Sequence, residues 1–331
     1  MKNLFILAAL TGFALANTNA DDVDGVFGDV DQWKTGYVSV DEDGDDLFYW
    51  VFQSRNAPET DPLVMWLTGG PGCASEVALF YENGPYQFND DNTIRSNPNS
   101  WNNISNLLYV DQPIGTGFSH GGKHDVRNET EVAEDAAILL RGFLEQNPEY
   151  KGRDFYITGE SYAGHYVPAI AYYLLNEATD IDLNLKSIAI GNGLTDPFHQ
   201  YPAYAPFSYE NNLIGKEKFH VLEGGFKACQ ALIYESESGP EAGVKLEVAA
   251  LEFCSLLMET IIGNPAKFNS YDIRIPCEKP PLCYDFSQSD DLLNQESVQK
   301  ILGVPAGTKW EECDMAVHEY LTGDWMLNLM P

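Results

Sequence analysis

The chain has 331 residues, of which 44% are hydrophobic and 12% aromatic, so it can bury a large core and is not a disordered segment. Fifty acidic residues against nineteen basic ones give a formal charge of −31. Such a field repels nucleic acid and anionic membrane surfaces, which excludes both as partners.

Taken in chain order, residues 1–20 read as a signal peptide. Lys2 precedes an apolar stretch over 4–16, and Ala14-Leu15-Ala16 or Thr18-Asn19-Ala20 offers small residues for cleavage. No later stretch is long and apolar enough to span a bilayer, so no stable membrane insertion is expected. The expected location is the secretory pathway, ending outside the cell or in a vacuole or lysosome. Asn103-Ile104-Ser105 and Asn128-Glu129-Thr130 have the form of glycosylation acceptors at Asn103 and Asn128.

Segments 37–40 and 47–52 flank the polar run Asp41-Glu42-Asp43-Gly44-Asp45-Asp46 and predict a β-hairpin. Apolar runs at 62–67, 107–110, 155–158 and 187–190 predict short buried strands. Helical patterns at 129–145 and 162–175 lie between them. That alternation predicts a parallel sheet with helices on both faces, an α/β fold spanning 21–194. From 195 to about 281 the chain is richer in Pro, Tyr, Gly and charge. It reads as a helical and irregular cap insertion, with helices at 216–234 and 244–262. The remainder of 195–331 begins a return to the core, with one helix at 294–302 and little that reads as a core strand. The six cysteines are Cys73, Cys229, Cys254, Cys277, Cys283 and Cys313. An even number in an oxidising compartment predicts three disulfides, and spacing leaves the pairing open. No CxxC or HExxH occurs, so neither a metal nor a cofactor is expected.

Two motifs carry chemistry. The strand at 155–158 ends in Gly159-Glu160-Ser161-Tyr162-Ala163 and runs into a helix, the context of a nucleophile elbow. A nucleophile held above a sheet edge needs a cramped corner with small residues two positions either side, here Gly159 and Ala163. The N–H groups of the following helix face the reaction centre. The strand at 63–67 runs into Thr68-Gly69-Gly70-Pro71-Gly72-Cys73, whose backbone can complete an oxyanion hole. A phosphate loop is disfavoured because no Gly-Lys-Ser/Thr follows.

Together, Trp66 to Cys73, Asp111-Gln112-Pro113-Ile114-Gly115-Thr116-Gly117-Phe118-Ser119 and Gly159-Glu160-Ser161-Tyr162-Ala163-Gly164-His165-Tyr166-Val167-Pro168 resemble the serine carboxypeptidases, the group that includes vacuolar carboxypeptidase Y and lysosomal cathepsin A. Ile190-Gly191-Asn192-Gly193, Tyr271-Asp272-Ile273-Arg274 and Gly323-Asp324-Trp325-Met326 extend the likeness. The resemblance implies an α/β-hydrolase fold that releases C-terminal residues from peptides or proteins through an acyl-enzyme. Ser161 is then the nucleophile, and the N–H groups of Gly70 and Tyr162 form the oxyanion hole. Glu160 and Glu82 are implied as a carboxyl pair holding the terminal carboxylate. Such a pair keeps one proton because two adjacent acids do not both ionise cheaply. Trp66 and Gly69 belong to the same substrate site, and Tyr271 and Tyr284 line the pocket for the leaving residue. Cys73–Cys313 and Cys277–Cys283 are the implied bridges, which leaves Cys229 with Cys254. Thr68 stands where the family carries Asn, so recognition of the carboxylate is expected to be weakened or altered, by about 1–2 kcal/mol for one lost hydrogen bond.

In this fold the triad runs Ser, then Asp, then His. The sequence stops at Pro331, just after Gly323-Asp324-Trp325-Met326, which in the family precedes both residues, so the last core strands are expected to be missing. Asp324 is not expected to be the triad Asp. His165 is expected to be structural, and His120, His124, His199, His220 and His318 offer no replacement base. The expectation is a truncated gene model or transcript whose product hydrolyses peptides poorly or not at all. The alternatives are a non-catalytic carboxypeptidase-like binding protein and a serine carboxypeptidase-like acyltransferase. A homodimer is left open.

Overall fold

The computed structural model describes residues 17–18, 25–28, 30–42, 44–121, 125–238, 243–280 and 282–326. Most of the expected signal peptide and His124 lie outside them.

Seven strands form one sheet. They are β1 (Asn17–Thr18), β2 (Trp33–Ser39), β3 (Asp46–Phe52), β4 (Leu63–Leu67), β7 (Asn106–Asp111), β8 (Arg153–Glu160) and β9 (Leu183–Gly191), in the order β1-β2-β3-β7-β4-β8-β9. A separate ribbon pairs β5 (Tyr86–Phe88) with β6 (Ile94–Ser96). The expected hairpin is β2–β3, antiparallel with Tyr37 opposite Phe48. The other expected strands form the parallel block β7-β4-β8-β9.

Strand periodicity explains the layers. In β3, Leu47, Tyr49 and Val51 enter one apolar cluster, while Phe48, Trp50 and Phe52 enter the opposite one. The first face is covered by α2 (Glu129–Gln146) and α3 (Ala163–Asn176), through Leu140, Phe143, Tyr166 and Ile170. The second is covered by α1 (Glu76–Tyr81), α7 (Ser287–Leu293) and α8 (Glu296–Leu302). Leu79, Phe80, Leu293, Ile301 and Trp310 pack there against Trp50, Trp66 and Tyr109. Burial on both faces is why these strands read as continuous apolar runs.

Between β9 and α7 lie α4 (Pro197–Glu210), α5 (Lys216–Ser238) and α6 (Val244–Ile262), with their own core of Tyr201, Leu222, Phe226, Ile233 and Ala250. Cys229–Cys254 joins α5 to α6. The prolines of α4 hide it from a sequence reading. Pro197 occupies the first turn, where no N–H is needed. Pro202 leaves the Phe198 carbonyl without its helical donor, and Gln230 Nε2 donates to it at 3.0 Å. The helix expected at 294–302 starts later, at Glu296. Asn294 is used instead to bind the Trp310 backbone, accepting from its N at 2.9 Å and donating to its O at 3.0 Å. A short helix α9 (Met315–Tyr320) follows.

Among the described residues β9 pairs with β8 alone, and its burial alternates without becoming complete. No helix there is long and apolar enough to cross a membrane.

Candidate active site

Chain order places the site. β4 is followed by β7 on one side and, after a crossover, by β8 on the other, so the loops leaving β4 and β8 part at a switch point. Leu67 lies opposite Gly159, and Glu160 opposite Gly191, so three loops meet just beyond.

Ser161 occupies that corner with φ 58, a left-handed conformation unusual for a residue with a Cβ. Its N donates to Gly191 O at 3.1 Å, and its O accepts from Leu194 N at 2.9 Å and Gly164 N at 3.0 Å. These three bonds hold the strained residue. Small neighbours are a steric requirement. A Cβ on Gly159 would lie 2.6 Å from Leu67 O and 2.7 Å from the Cβ of Ala163. Ala163 therefore fits because Gly159 leaves it the space.

The glycine loop after β4 presses on the same corner. A Cβ on Gly69 would fall 2.4 Å from Tyr162 N and 2.7 Å from Glu160 O. Gly70, Ser161 and Tyr162 line a cavity of about 370 Å³ whose far wall includes Leu194, Tyr204 and Trp325. Backbone N–H groups beside a hydroxyl in a partly enclosed cavity can stabilise an oxyanion. Cys73, at the end of the loop, is bonded to Cys313.

Glu160 ends β8 immediately before Ser161, and Glu82 follows α1. Glu160 is half-buried, and Glu82, exposed as a residue, turns its carboxyl toward that of Glu160. Burial, then the charge of Glu160, pushes Glu82 up to about 8, and burial raises Glu160 as well. One proton is therefore shared near neutral pH, and the pair can donate a hydrogen bond to an anionic group. Nearby, Trp66 Nε1 donates to Thr68 Oγ1 at 3.3 Å, which leaves Thr68 a single O–H to give. Trp66 is buried with its ring edge-on to Trp101 at 5.4 Å. Tyr271 and Tyr284 lie 6.0 Å apart and are exposed, and Tyr271 feels the charge of Glu160. The third bridge, Cys277–Cys283, closes the loop before Tyr284.

The described histidines are all engaged. His165 is buried, stacks on Tyr162 at 4.7 Å, and its Nδ1 lies 2.6 Å from Leu194 O. His318 bonds the Pro71 backbone and meets the Trp325 ring at 5.1 Å, and burial lowers its basicity. His120, His199 and His220 lie beside Asp46, Asp196 and Glu223. Asp324 accepts from Glu129 N at 2.7 Å and so caps α2. Asn128 also caps α2, through its side-chain oxygen, and Asn103 accepts from Arg55.

Three acids were not read as chemistry in the sequence. Glu129, read there only as the middle of an acceptor triplet, is buried under Tyr162, and burial and the charge of Asp324 raise its carboxyl. Glu76 and Asp111 form a second carboxyl pair, this one fully buried. Asp111 accepts from Ser75 N at 3.0 Å and Phe118 N at 2.8 Å, which ties the glycine loop to the loop at 113–119. None of the three could be found by spacing, because their partners are distant in sequence.

A strained serine corner at the switch point of a mostly parallel sheet defines an α/β-hydrolase. A family model described as serine carboxypeptidase matches residues 28–331. The chain is 39% identical over 305 residues to serine carboxypeptidase S10 family member 1 of Dictyostelium discoideum, covering 90% of this chain and 71% of that protein. It is 42% identical over 288 residues to serine carboxypeptidase-like 47 of Arabidopsis thaliana (86% and 56% covered) and 38% identical over 304 residues to carboxypeptidase Y of Saccharomyces cerevisiae (88% and 56%). The crystal structure of Kex1(delta)p, a prohormone-processing carboxypeptidase of Saccharomyces cerevisiae, superposes with a TM-score of 0.77 at 26% identity, covering 97% of this chain and 72% of that one. The chain belongs to the serine carboxypeptidase family. It spans little more than half the length of the plant and yeast relatives just named.

Proposed function

We propose that the described residues form the acyl-binding and carboxylate-binding half of a serine carboxypeptidase. Ser161 attacks the last peptide carbonyl, the N–H groups of Gly70 and Tyr162 receive the oxyanion, and the leaving residue's carboxylate sits on the Glu82–Glu160 pair with Trp66, Thr68 and Gly69 around it. The acyl group passes to Ser161 Oγ as the C–N bond breaks, the proton lost from that hydroxyl ends on the departing amine, and water later hydrolyses the ester, returning a proton to Ser161 Oγ. The observation that carries this reading is the pairing of a φ 58 serine with a proton-sharing carboxyl pair that begins at the preceding residue. An ester hydrolase with apolar substrates has no use for such a pair. Three disulfides support an oxidising compartment of the secretory pathway.

A second reading, peptide binding without turnover, is favoured by one observation. Each described histidine is held by a partner other than Ser161. One experiment separates the two. A peptide with a free C-terminus and its C-terminal amide are each titrated into the chain, and release of the last residue is followed in parallel. The proposal expects the free acid alone to bind, with affinity falling as pH rises toward about 8 and the pair loses its proton. Release abolished by Ser161→Ala supports the enzyme, and binding without release supports the second reading. Equal binding of acid and amide refutes both.

A further inference from the structure

The left-handed corner at Ser161 hangs on one segment. Ser161 N donates to Gly191 O at 3.1 Å, and Leu194 N donates to Ser161 O at 2.9 Å, so both sides of the serine's main chain are bonded to residues 191–194. That segment lies tight against the start of α3. Asn192 is itself left-handed at φ 47, and a Cβ on Gly164 would fall 2.4 Å from Leu194 O. His165 Nδ1 lies 2.6 Å from the same oxygen. A strained residue persists only while its surroundings over-determine it, so whatever fixes 191–194 also fixes Ser161.

The clamp comes from the cap. Gln200, in the first turn of α4, reaches back with its whole amide. Its Nε2 donates to Gly193 O at 2.7 Å, and its Oε1 accepts from Thr195 N and from Asp196 N, both at 2.8 Å. Helix capping accounts for one of these bonds. Asp196 is the N-cap of α4, and a side chain reaching back to the N-cap N–H is ordinary capping. The bonds to Thr195 and Gly193 lie outside the helix and serve the segment instead. Gln200 also lines the cavity that holds Ser161. Its helix has firm footing, because Gln230 of α5 donates to Phe198 O at 3.0 Å.

Resting on the reading of Ser161 as the nucleophile, we propose that Gln200 is the positioning residue that holds it, so that a cap helix sets the backbone of a serine on the sheet. Without the Gln200 amide, two N–H groups and one carbonyl of a half-buried segment lose a partner. The segment shifts to regain partners, and Leu194 N leaves Ser161 O. Ser161 then relaxes from its left-handed φ, and its Oγ turns away from the N–H groups of Gly70 and Tyr162. Gln200 touches no reacting atom and acts through Gly193 and Leu194.

The test reads the reactivity of Ser161 apart from stability. A fluorophosphonate, from which the serine oxygen displaces fluoride, is reacted with the full chain at neutral pH, and intact mass gives the labelling rate. Ser161→Ala confirms the site, and urea unfolding of each variant is measured alongside. Gln200→Met keeps the length of the side chain and removes all three bonds, and its labelling is expected to slow about hundredfold, the size of an ångström-scale misplacement. Gln200→Glu keeps the two acceptor bonds and loses the donor, and it is expected to recover about tenfold of that loss. Ile214→Ala cuts into the cap's own core and leaves these bonds in place. It is expected to lower the urea midpoint at least as far while labelling at the unmodified rate. Gln200→Met labelled as fast as the unmodified chain overturns this inference and leaves the nucleophile reading intact. Equal slowing in Ile214→Ala overturns it too, because the effect is then one of cap stability. Should Gln200→Met not fold, Gln200→Glu decides, and an unmodified rate there overturns the inference. An unmodified chain that takes no label overturns the nucleophile reading and this inference with it.

Discussion

Replacing Glu82 with glutamine tests the shared proton directly. In the folded chain the Glu82 carboxyl is raised from the ordinary 4.5 to about 8, by burial first and by Glu160 second. A raised carboxyl means that the folded state binds more protons than the unfolded chain between those values. The stabilisation is therefore complete below about pH 4 and is lost as pH rises through about 8. At about 1.4 kcal/mol per pH step and proton, the whole interval corresponds to about 5 kcal/mol. Partial exposure of the pair reduces this to about 2–3 kcal/mol. Glutamine keeps the shape and a donor but carries no titrating proton. Urea unfolding of the unmodified chain and of Glu82→Gln, disulfides intact, is measured across that range. Asp111, raised to about 6, and Glu312, raised to about 7, steepen both curves alike, so the difference between the proteins is the readout. The unmodified chain is expected to lose about 2–3 kcal/mol more than the variant. Parallel curves would refute the shared proton.

Further expectations follow from the packing. Gly69→Ala sets a Cβ against two backbone atoms, 2.4 Å from Tyr162 N and 2.7 Å from Glu160 O, and is expected to cost about 2–3 kcal/mol in urea unfolding and to weaken free-acid peptide binding. Asp31→Ala removes the carboxylate that grips Arg55 at 2.7 and 2.8 Å, and it is expected to cost about 3–5 kcal/mol, read as a lowered urea midpoint at constant slope. Replacing Cys229 and Cys254 together by alanine frees a bridge spanning 25 residues and is expected to cost about 3 kcal/mol. Because the cap has its own core, limited proteolysis of that double variant should cut first within 197–262, and first cuts in β4 or β8 would contradict that separation.

Where the physics is local, the chain could be read without a structure. A serine between glycine and alanine at the junction of a strand and a helix forces a left-handed corner, and Ser161 has one. Apolar runs of strand length flanking helical periodicity require a sheet buried on both faces, and β4, β7 and β8 are such strands. The hairpin β2–β3 follows from its polar turn. The three cysteine pairings were legible only through motifs shared with a family, and the roles proposed for Glu82, Tyr271 and Tyr284 rest on the same motifs, since nothing in spacing joins Glu82 to Glu160.

Tertiary structure alone decided the rest. α4 was hidden by prolines whose lost hydrogen bond is repaired from another helix. Glu129, and Glu76 with Asp111, are ordinary acids in the sequence. Their chemistry comes from burial and from neighbours brought in by the fold, because the cost of a charge depends on the medium and partners around it and not on the residues beside it in the chain.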